Sequence, residues 1–314
     1  MREPALDISR VEILQHQDRT RGVGGTDSSA ILGVSPWSSP LQVYRDKVGE
    51  RKHDFASNRM AIGNALEPFV LTQMCAKLDI DMTHGQTYVR DRKRNFMLGS
   101  VDGIAFDPEI GVHCILEAKT SSSPPWDDPP LHYQIQVQHY MGVTGLTRAY
   151  IGALFLEGDY PLNVYTIDFD PAAWEIIQDA DTKFWTECVV AKRPPTPNAS
   201  YGDRKALEDL WPRHTPGAVA ELGPEHLAHA KRIDELASQI KEAESEKAGL
   251  ENLIREAIGE AEYGRLPTGE GWSYRTQERK AYTVEATTYR QLRRTKTEQI
   301  AKALKAIKSP GHAD

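Results

Sequence analysis

Cysteine is scarce in this chain: among 314 residues there are three, Cys75, Cys114 and Cys188. Their odd number and wide separation exclude a disulfide framework and give no CxxC zinc or iron–sulfur spacing, so they are expected to be reduced packing residues. No run approaches the roughly 20 apolar residues of a membrane helix, and the opening MREPALDISR has no apolar signal-peptide core. A cytosolic chain with no membrane partner is expected. Walker, HExxH and GxSxG motifs are missing, and Gly22, Gly24 and Gly25 do not form a strand-to-helix GxGxxG, which removes the common nucleotide, zinc-peptidase and hydrolase-elbow chemistries. No internal repeat is present.

Positive charge is also in deficit, with a formal net charge of −7. Its distribution is uneven. Residues 272–314 carry ten Lys plus Arg against four acidic residues, leaving −13 on residues 1–271. A basic tail on an acidic body suits contact with a nucleic-acid backbone or a solvated helix face. Within it, Arg275, Arg279, Lys280, Arg290, Arg293 and Arg294 are the candidate phosphate contacts.

Hydrophobic patterning divides the chain into a mixed α/β segment over residues 1–200, a linker over 201–222 and a C-terminal part over 223–314. In the first segment, Thr26 or Asp27 is the expected cap of a short helix ended by Ser35-Pro36. Helices are predicted from about Ser57 to Leu78, Leu131 to Thr144 and Pro171 to Val190, with strands in AYIGALFLEG and LNVYTIDFD. Beyond Gly223, Ile233, Leu236, Ile240, Ala243, Leu250, Ile254 and Ala257 form a heptad seam interrupted at Lys247. It suits pairing within the chain or with another subunit. A short strand pair in WSYRTQERKAYTV and a basic helix from Tyr289 to Ile307 follow.

The chemistry concentrates in SVDGIAFDPEIGVHCILEAKT, residues 100–120. Apolar stretches around Met97–Phe106 and Val112–Ala118 flank the turn-forming Asp-Pro-Glu-Ile-Gly, which predicts a hairpin. A four-residue loop pairs Asp107 with Val112 and brings Asp102 opposite Glu117, about 5 Å away between Cβ atoms. Lys119 shares the face of Glu117, because side chains alternate along a strand. Equally, His113, Ile115, Glu117 and Lys119 could be the wet side of a half-buried sheet. Carboxylates converging in this way repel and raise one another's pKa, and their oxygens suit a hard cation such as Mg²⁺ or Mn²⁺.

Taken in order, GGTDSSAILGVSPW, GNALE, GSVDG, LEAK and QIQVQHYM resemble the PD-(D/E)XK nuclease superfamily, and more closely its YqaJ-like viral recombinase branch, to which lambda exonuclease is related. The matching pieces span residues 19 to about 145. Val101 stands where the superfamily's name has a proline. The resemblance implies a restriction-endonuclease-like core, a mixed sheet flanked by helices, followed by a long C-terminal helix and a small strand and helix extension.

It also implies a function. The chain would be a metal-dependent DNA exonuclease of phage-type recombination that digests linear duplex from the 5′ end and leaves 3′ single-stranded tails. Asp102 and Glu117 would hold one or two Mg²⁺ or Mn²⁺ ions, with the Ala118 carbonyl as a further ligand and Glu67 completing the set. Lys119 would orient or help deprotonate the attacking water, and Gln136 would steady the lysine or a metal-bound water. By position, Arg19 and Thr26 match the residues that grip the terminal 5′ phosphate. Implied partners are double-stranded DNA ends, other copies of the chain in a ring such as a trimer, and a single-strand annealing protein. The expected location is the cytoplasm, that of the bacterial host for a phage gene product. The competing functions are a restriction-like endonuclease, a non-catalytic DNA-end-binding or scaffold protein on the same fold, and a coiled-coil assembly factor.

Overall fold

The structure is a computed structural model, and it describes residues 6–16, 18–50, 57–278, 291–293, 295 and 297–300. Arg279, Lys280, Arg290 and Arg294, expected as phosphate contacts, lie outside the described residues. The chain divides into two compact units, residues 1–210 and 211–314.

In chain order the first unit begins with β1 (Val11–Leu14), α1 (Gly25–Ile31), α2 (Pro40–Lys47) and α3 (Asn58–Leu78). The Ser57 side chain accepts the Met60 N–H and starts α3; Asp79, in the left-handed region at φ 54°, ends it. Pro68 sits inside this helix. Its missing N–H removes one rung of the helix ladder and leaves the Asn64 carbonyl without that partner. Next come β2 (Asp81–His84), β3 (Thr87–Asp91), β4 (Leu98–Val101), β5 (Gly103–Asp107) and β6 (Val112–Ser121). After them are α4 (Leu131–Thr144), β7 (Arg148–Phe155), β8 (Leu162–Asp168), α5 (Pro171–Lys183) with a π-helical continuation over Phe184–Val190, and α6 (Tyr201–Leu210).

A mixed five-stranded sheet of order β2-β5-β6-β7-β8 forms the centre. The β5–β6 hairpin has the register derived from its turn: Asp107 pairs with Val112 and Gly103 with Leu116. Gly111, at φ 71°, supplies the left-handed residue of the loop, and the Asp107 carboxylate accepts the Glu109 N–H at 2.9 Å. Strand β6 runs parallel to β7, the two being joined through α4. The sheet is covered on both faces. Ile104, Ile115, Ala149 and Ile151 pack with Val137, Tyr140 and Met141 of α4, while Ala105, Cys114, Leu116 and Tyr150 pack with Leu71 and Met74 of α3. Each such aliphatic side chain contributes about 1.5–3 kcal/mol on burial. Helices thus flank a mixed sheet on both faces, the layering expected from the sequence.

Three features differ from the sequence reading. The stretch 97–107 is two strands, because β4 joins the separate sheet β1-β3-β4 whereas β5 joins the central one; Asp102 lies at the break. Residues 201–210, placed in the linker by composition, form α6, whose Ala206 and Leu207 pack against Leu41, Val43 and Tyr44 of α2. The face of β6 that holds His113, Ile115 and Glu117 is no wet surface: all three are buried beneath α4 and the strands beside it.

The second unit holds α7 (Pro224–Ile258) and the strand pair β9 (Tyr263–Arg265) and β10 (Gly271–Ser273). The heptad pattern therefore forms one long helix, and its seam residues Ile233, Leu236, Ile240 and Leu250 are exposed in the single chain. The predicted strand pair is shifted: Trp272 and Ser273 pair backwards with Gly264 and Tyr263. Residues 291–293 are not helical, and helix is described only at 297–300. No helix among the described residues is long and apolar enough to cross a membrane.

Cys114 is fully buried, and burial beside Asp107 pushes its thiol up to about 12. At pH 8 only about one such thiol in ten thousand is ionised. Native protein is expected to leave Cys114 unlabelled by a thiol reagent over an hour at pH 8, with full labelling in denaturant; mass spectrometry of the labelled peptide checks this.

Candidate active site

A cavity of about 390 Å³ opens where α3, the end of β4, β6 and α4 meet, lined among others by Glu67, Asp102, Glu117, Ala118, Lys119 and Gln136. Each side chain gets there by a local rule. Glu67 faces the cavity from the turn of α3 that holds Pro68. Asp102, at the β4–β5 break, has one oxygen, Oδ2, pinned by the Ala118 N–H at 2.9 Å. Glu117 and Lys119, two apart on β6, share a face, and Lys119 Nζ donates to Glu117 Oε1 at 2.5 Å. From α4, Gln136 Nε2 donates to the same Oε1 at 2.6 Å and lies 3.0 Å from the Tyr140 hydroxyl.

Glu117 is the centre of this group. It is 2% exposed, and its second oxygen, Oε2, is buried with no hydrogen-bond partner among the described residues. Burial pushes the carboxyl up to about 8, with Asp102 and Glu67 acting in the same direction and Lys119 against it. Burial also raises Asp102, opposed by Lys119 and the Ala118 N–H. Glu67 rises through burial and through Asp102. For Lys119 burial works downward, but Glu117 and Asp102 outweigh it and the ammonium form is favoured.

The donor set suits a divalent cation: oxygen ligands throughout, and a buried carboxylate oxygen left unpaired. It is not a ready cage. Among the described residues, no three His, Cys, Asp or Glu side chains close into a coordination cluster, since Asp102 Oδ2 is held by backbone and Glu117 Oε1 by Lys119 and Gln136. Glu67, Asp102 and Glu117 thus share the cavity without converging on one point.

Arg19 and Thr26 line the same cavity, with Arg19 Nη2 donating to Thr26 Oγ1 at 3.0 Å. The helix here begins one residue before Thr26, with Gly24 as its cap, and Asp27 accepts the Gly24 N–H at 2.9 Å. Neither Thr26 nor Asp27 is therefore the cap itself, but Asp27 does capping work from inside the first turn. The sequence reading missed Lys47, whose buried Nζ bridges Asp27 Oδ2 at 2.6 Å and the Arg19 carbonyl at 2.7 Å. A lysine in the amphipathic α2 carried no signal of that role. Of the described tail residues, Arg275 pairs with Glu262 at 3.6 Å and lies over the Tyr263 ring, and Arg293 is exposed.

Two further supports were illegible in the sequence. The Cβ of an alanine at Gly25 would lie 2.8 Å from the Gln136 carbonyl oxygen and 2.9 Å from Tyr140 Cε1, so only glycine lets α1 come this close to α4. Behind it, Ser28 donates to Asp181 Oδ2 at 2.7 Å and lies 2.8 Å from His139 Nδ1. His139 Nε2 is 2.9 Å from the Leu98 carbonyl, which accepts and so places a proton on Nε2. All three side chains are buried, and burial raises the Asp181 carboxyl against the opposing pull of His139 and Ser28. This network ties α1, α4, α5 and β4 together and has no access to substrate.

Gly25→Ala is expected to cost about 1–3 kcal/mol of stability by overpacking. Thermal melting of the variant beside wild type checks this.

Comparison with known proteins agrees with the motif order. Residues 15–147 match the YqaJ-like viral recombinase domain family. A Bacillus subtilis (strain 168) protein, YqaJ, itself described as uncharacterised, is 28% identical over 255 residues, covering 79% of this chain and 78% of its own. Among solved structures, an alkaline exonuclease from Laribacter hongkongensis superposes with a TM-score of 0.45 at 17% identity, covering 60% of this chain and 95% of that one. A phage-related exonuclease from Haemophilus somnus 129PT gives 0.41 at 16% identity, covering 55% of this chain and 96% of its own.

Proposed function

We propose that the protein, whose residues 15–147 match the YqaJ-like viral recombinase domain family, is a divalent-metal-dependent DNA exonuclease of phage-type recombination. It hydrolyses phosphodiesters of linear duplex DNA from the 5′ end and leaves 3′ single-stranded tails. The observation that carries this is Glu117: a carboxylate buried against Asp102, with Lys119 and Gln136 fixing one oxygen and the other left unpaired. Such a costly arrangement suits a site that holds a cation against a phosphate.

Asp102, Glu117, the Ala118 carbonyl and Glu67 would hold one or two Mg²⁺ or Mn²⁺ ions. When bound, a cation of this kind lowers the pKa of water and stabilises the charge that develops on the attacking and leaving oxygens. Gln136 fixes the rotamer of Glu117 through Oε1, so its other oxygen keeps a defined direction. Lys119, held protonated by Glu117 and Asp102, offers Nζ–H to a phosphate oxygen and to the attacking water. Arg19, paired with Thr26, supplies the guanidinium for a terminal 5′ phosphate, which makes the site end-dependent. The exposed seam of α7 is the surface through which copies of the chain would close into a ring, and a single-strand annealing protein would take up the 3′ tail.

A linear duplex with 5′-phosphorylated ends and the same sequence as a covalently closed circle test the reading together. Shortening of the linear form alone, with Mg²⁺ and not with EDTA, is the expected result. Cutting of the circle would assign an endonuclease instead.

A further inference from the structure

Beside the carboxylate–lysine centre stands a group of aromatic rings that the hydrolysis does not use. Tyr133, on the first turn of α4, has Lys119 Nζ, which lines the cavity, 4.9 Å from its ring centroid. His132 lies 4.1 Å from Tyr133, and Trp37, in the loop between α1 and α2, meets His132 edge-on at 4.7 Å and Tyr133 at 6.1 Å. On the far side, Trp126 is 5.5 Å from Tyr133. That tryptophan is fixed in place: it packs on Phe155 at 5.0 Å, its indole N–H donates to Ser123 Oγ at 3.1 Å, and its carbonyl accepts the Tyr165 hydroxyl at 2.8 Å. Trp37, by contrast, is 63% exposed. Much of its indole is therefore open to solvent.

We propose that Trp37, His132 and Tyr133 form a stacking platform for an unpaired base of the DNA strand whose phosphate lies at Glu117 and Lys119. This rests on the nuclease reading of the adjacent site. Three observations select a base as the occupant. Continuity with the centre is the first: phosphates and bases alternate along a strand, so a phosphate beside Lys119 puts a neighbouring base within reach of the ring under the same ammonium. Charge is the second. The loop next to the platform carries exposed Asp127 and Asp128, which repel a phosphate backbone and leave an uncharged base face as the suitable partner. Ring chemistry is the third, since every base has a π face that stacks on tryptophan, tyrosine or histidine without sequence preference. Within a duplex those faces are covered by neighbouring base pairs. The platform therefore rewards an end that has opened, and couples fraying of the terminal pairs to placement of the scissile phosphate.

The test uses the full chain in EDTA, so that binding is read without cutting. The DNA is a duplex with a short 5′ unpaired end carrying 2-aminopurine at one unpaired position, and a second duplex carries the probe in its paired interior. Wild type is expected to quench the unpaired probe and leave the interior one unchanged. Trp37→Ala should bind the open-ended duplex about 5- to 100-fold more weakly by fluorescence anisotropy, the range for losing one base–aromatic stack, and should lose the quenching; Trp37→Phe should restore most of both. Equal quenching and affinity in Trp37→Ala and wild type would overturn the platform, as would DNA binding by wild type without quenching. Loss of oligomer in Trp37→Ala by sedimentation, with DNA binding unchanged, would also overturn it and assign the face to a subunit contact. A Mg²⁺ assay run alongside separates the two claims. Cleavage without quenching removes the platform and keeps the nuclease, whereas quenching without cleavage under Mg²⁺ or Mn²⁺ removes the nuclease and keeps an end-binding platform.

Discussion

Glu117→Gln is expected to cut DNA cleavage to below about a thousandth of the wild-type rate, the scale seen when a group acting directly in the transition state is lost. Its melting temperature should match or exceed that of wild type. The two outcomes have one cause. Glutamine keeps the shape of Glu117, and its carbonyl oxygen can still accept from Lys119 and Gln136, so both hydrogen bonds at Oε1 survive. What disappears is the capacity to carry a negative charge at that position, which is the part a cation needs. The sign of the pH effect follows. Glu117 has its carboxyl raised from 4.5 to about 8 in the folded chain, so its stabilising contribution is complete below the unfolded value and is lost as pH rises through the folded one. In EDTA, the gap in melting temperature between variant and wild type should therefore widen across that window. A variant that folds and still cuts at the wild-type rate would show that Glu117 is a structural carboxylate.

Lys119→Met should lower turnover by about 10²- to 10⁴-fold, the range for removing a group that moves or holds a proton in the transition state. Binding of duplex DNA in EDTA should change far less, because Lys119 is mostly buried against Glu117 and contributes little to the outer charge. The loss falls on kcat rather than on KM. Lys119→Arg should not restore activity: a planar guanidinium cannot place a single proton where a compact ammonium stands 2.5 Å from Glu117 Oε1. Single-turnover cleavage and anisotropy titration check the two halves of the expectation.

The parts of the fold legible in the sequence are those fixed by local rules. The Asp107–Val112 register followed from turn chemistry and the two-residue period of a strand, and with it the meeting of Glu117 and Lys119 on one face. The helices predicted at about Ser57–Leu78 and Leu131–Thr144 are α3 and α4 to within a residue. What the sequence hid depends on distant partners. The break at Asp102 arises because β4 and β5 pair with different strands, and nothing in an apolar run announces that. Helix α6 looks like linker because its neighbours are Pro, Ser and Trp-Pro; its burial comes from α2, about 160 residues earlier, where Arg45 Nη1 donates to the Ala206 carbonyl at 2.7 Å. The Ser28–His139–Asp181 network joins residues 111 and 153 apart, and Gly25 matters only because α4 passes against it. Motif order singled out residues that the fold gathers around one cavity; tertiary contacts determine how tightly they are held.

The most direct measurement follows a linear duplex, 5′-phosphorylated and labelled at its 3′ ends, incubated with purified wild type in Mg²⁺ or in EDTA and with Glu117→Gln in Mg²⁺. Loss of 5′-end nucleotides with the 3′ label retained on long strands is expected in the first mixture only. Intact DNA in every mixture, with wild type folded and Mn²⁺ tried in place of Mg²⁺, would contradict it.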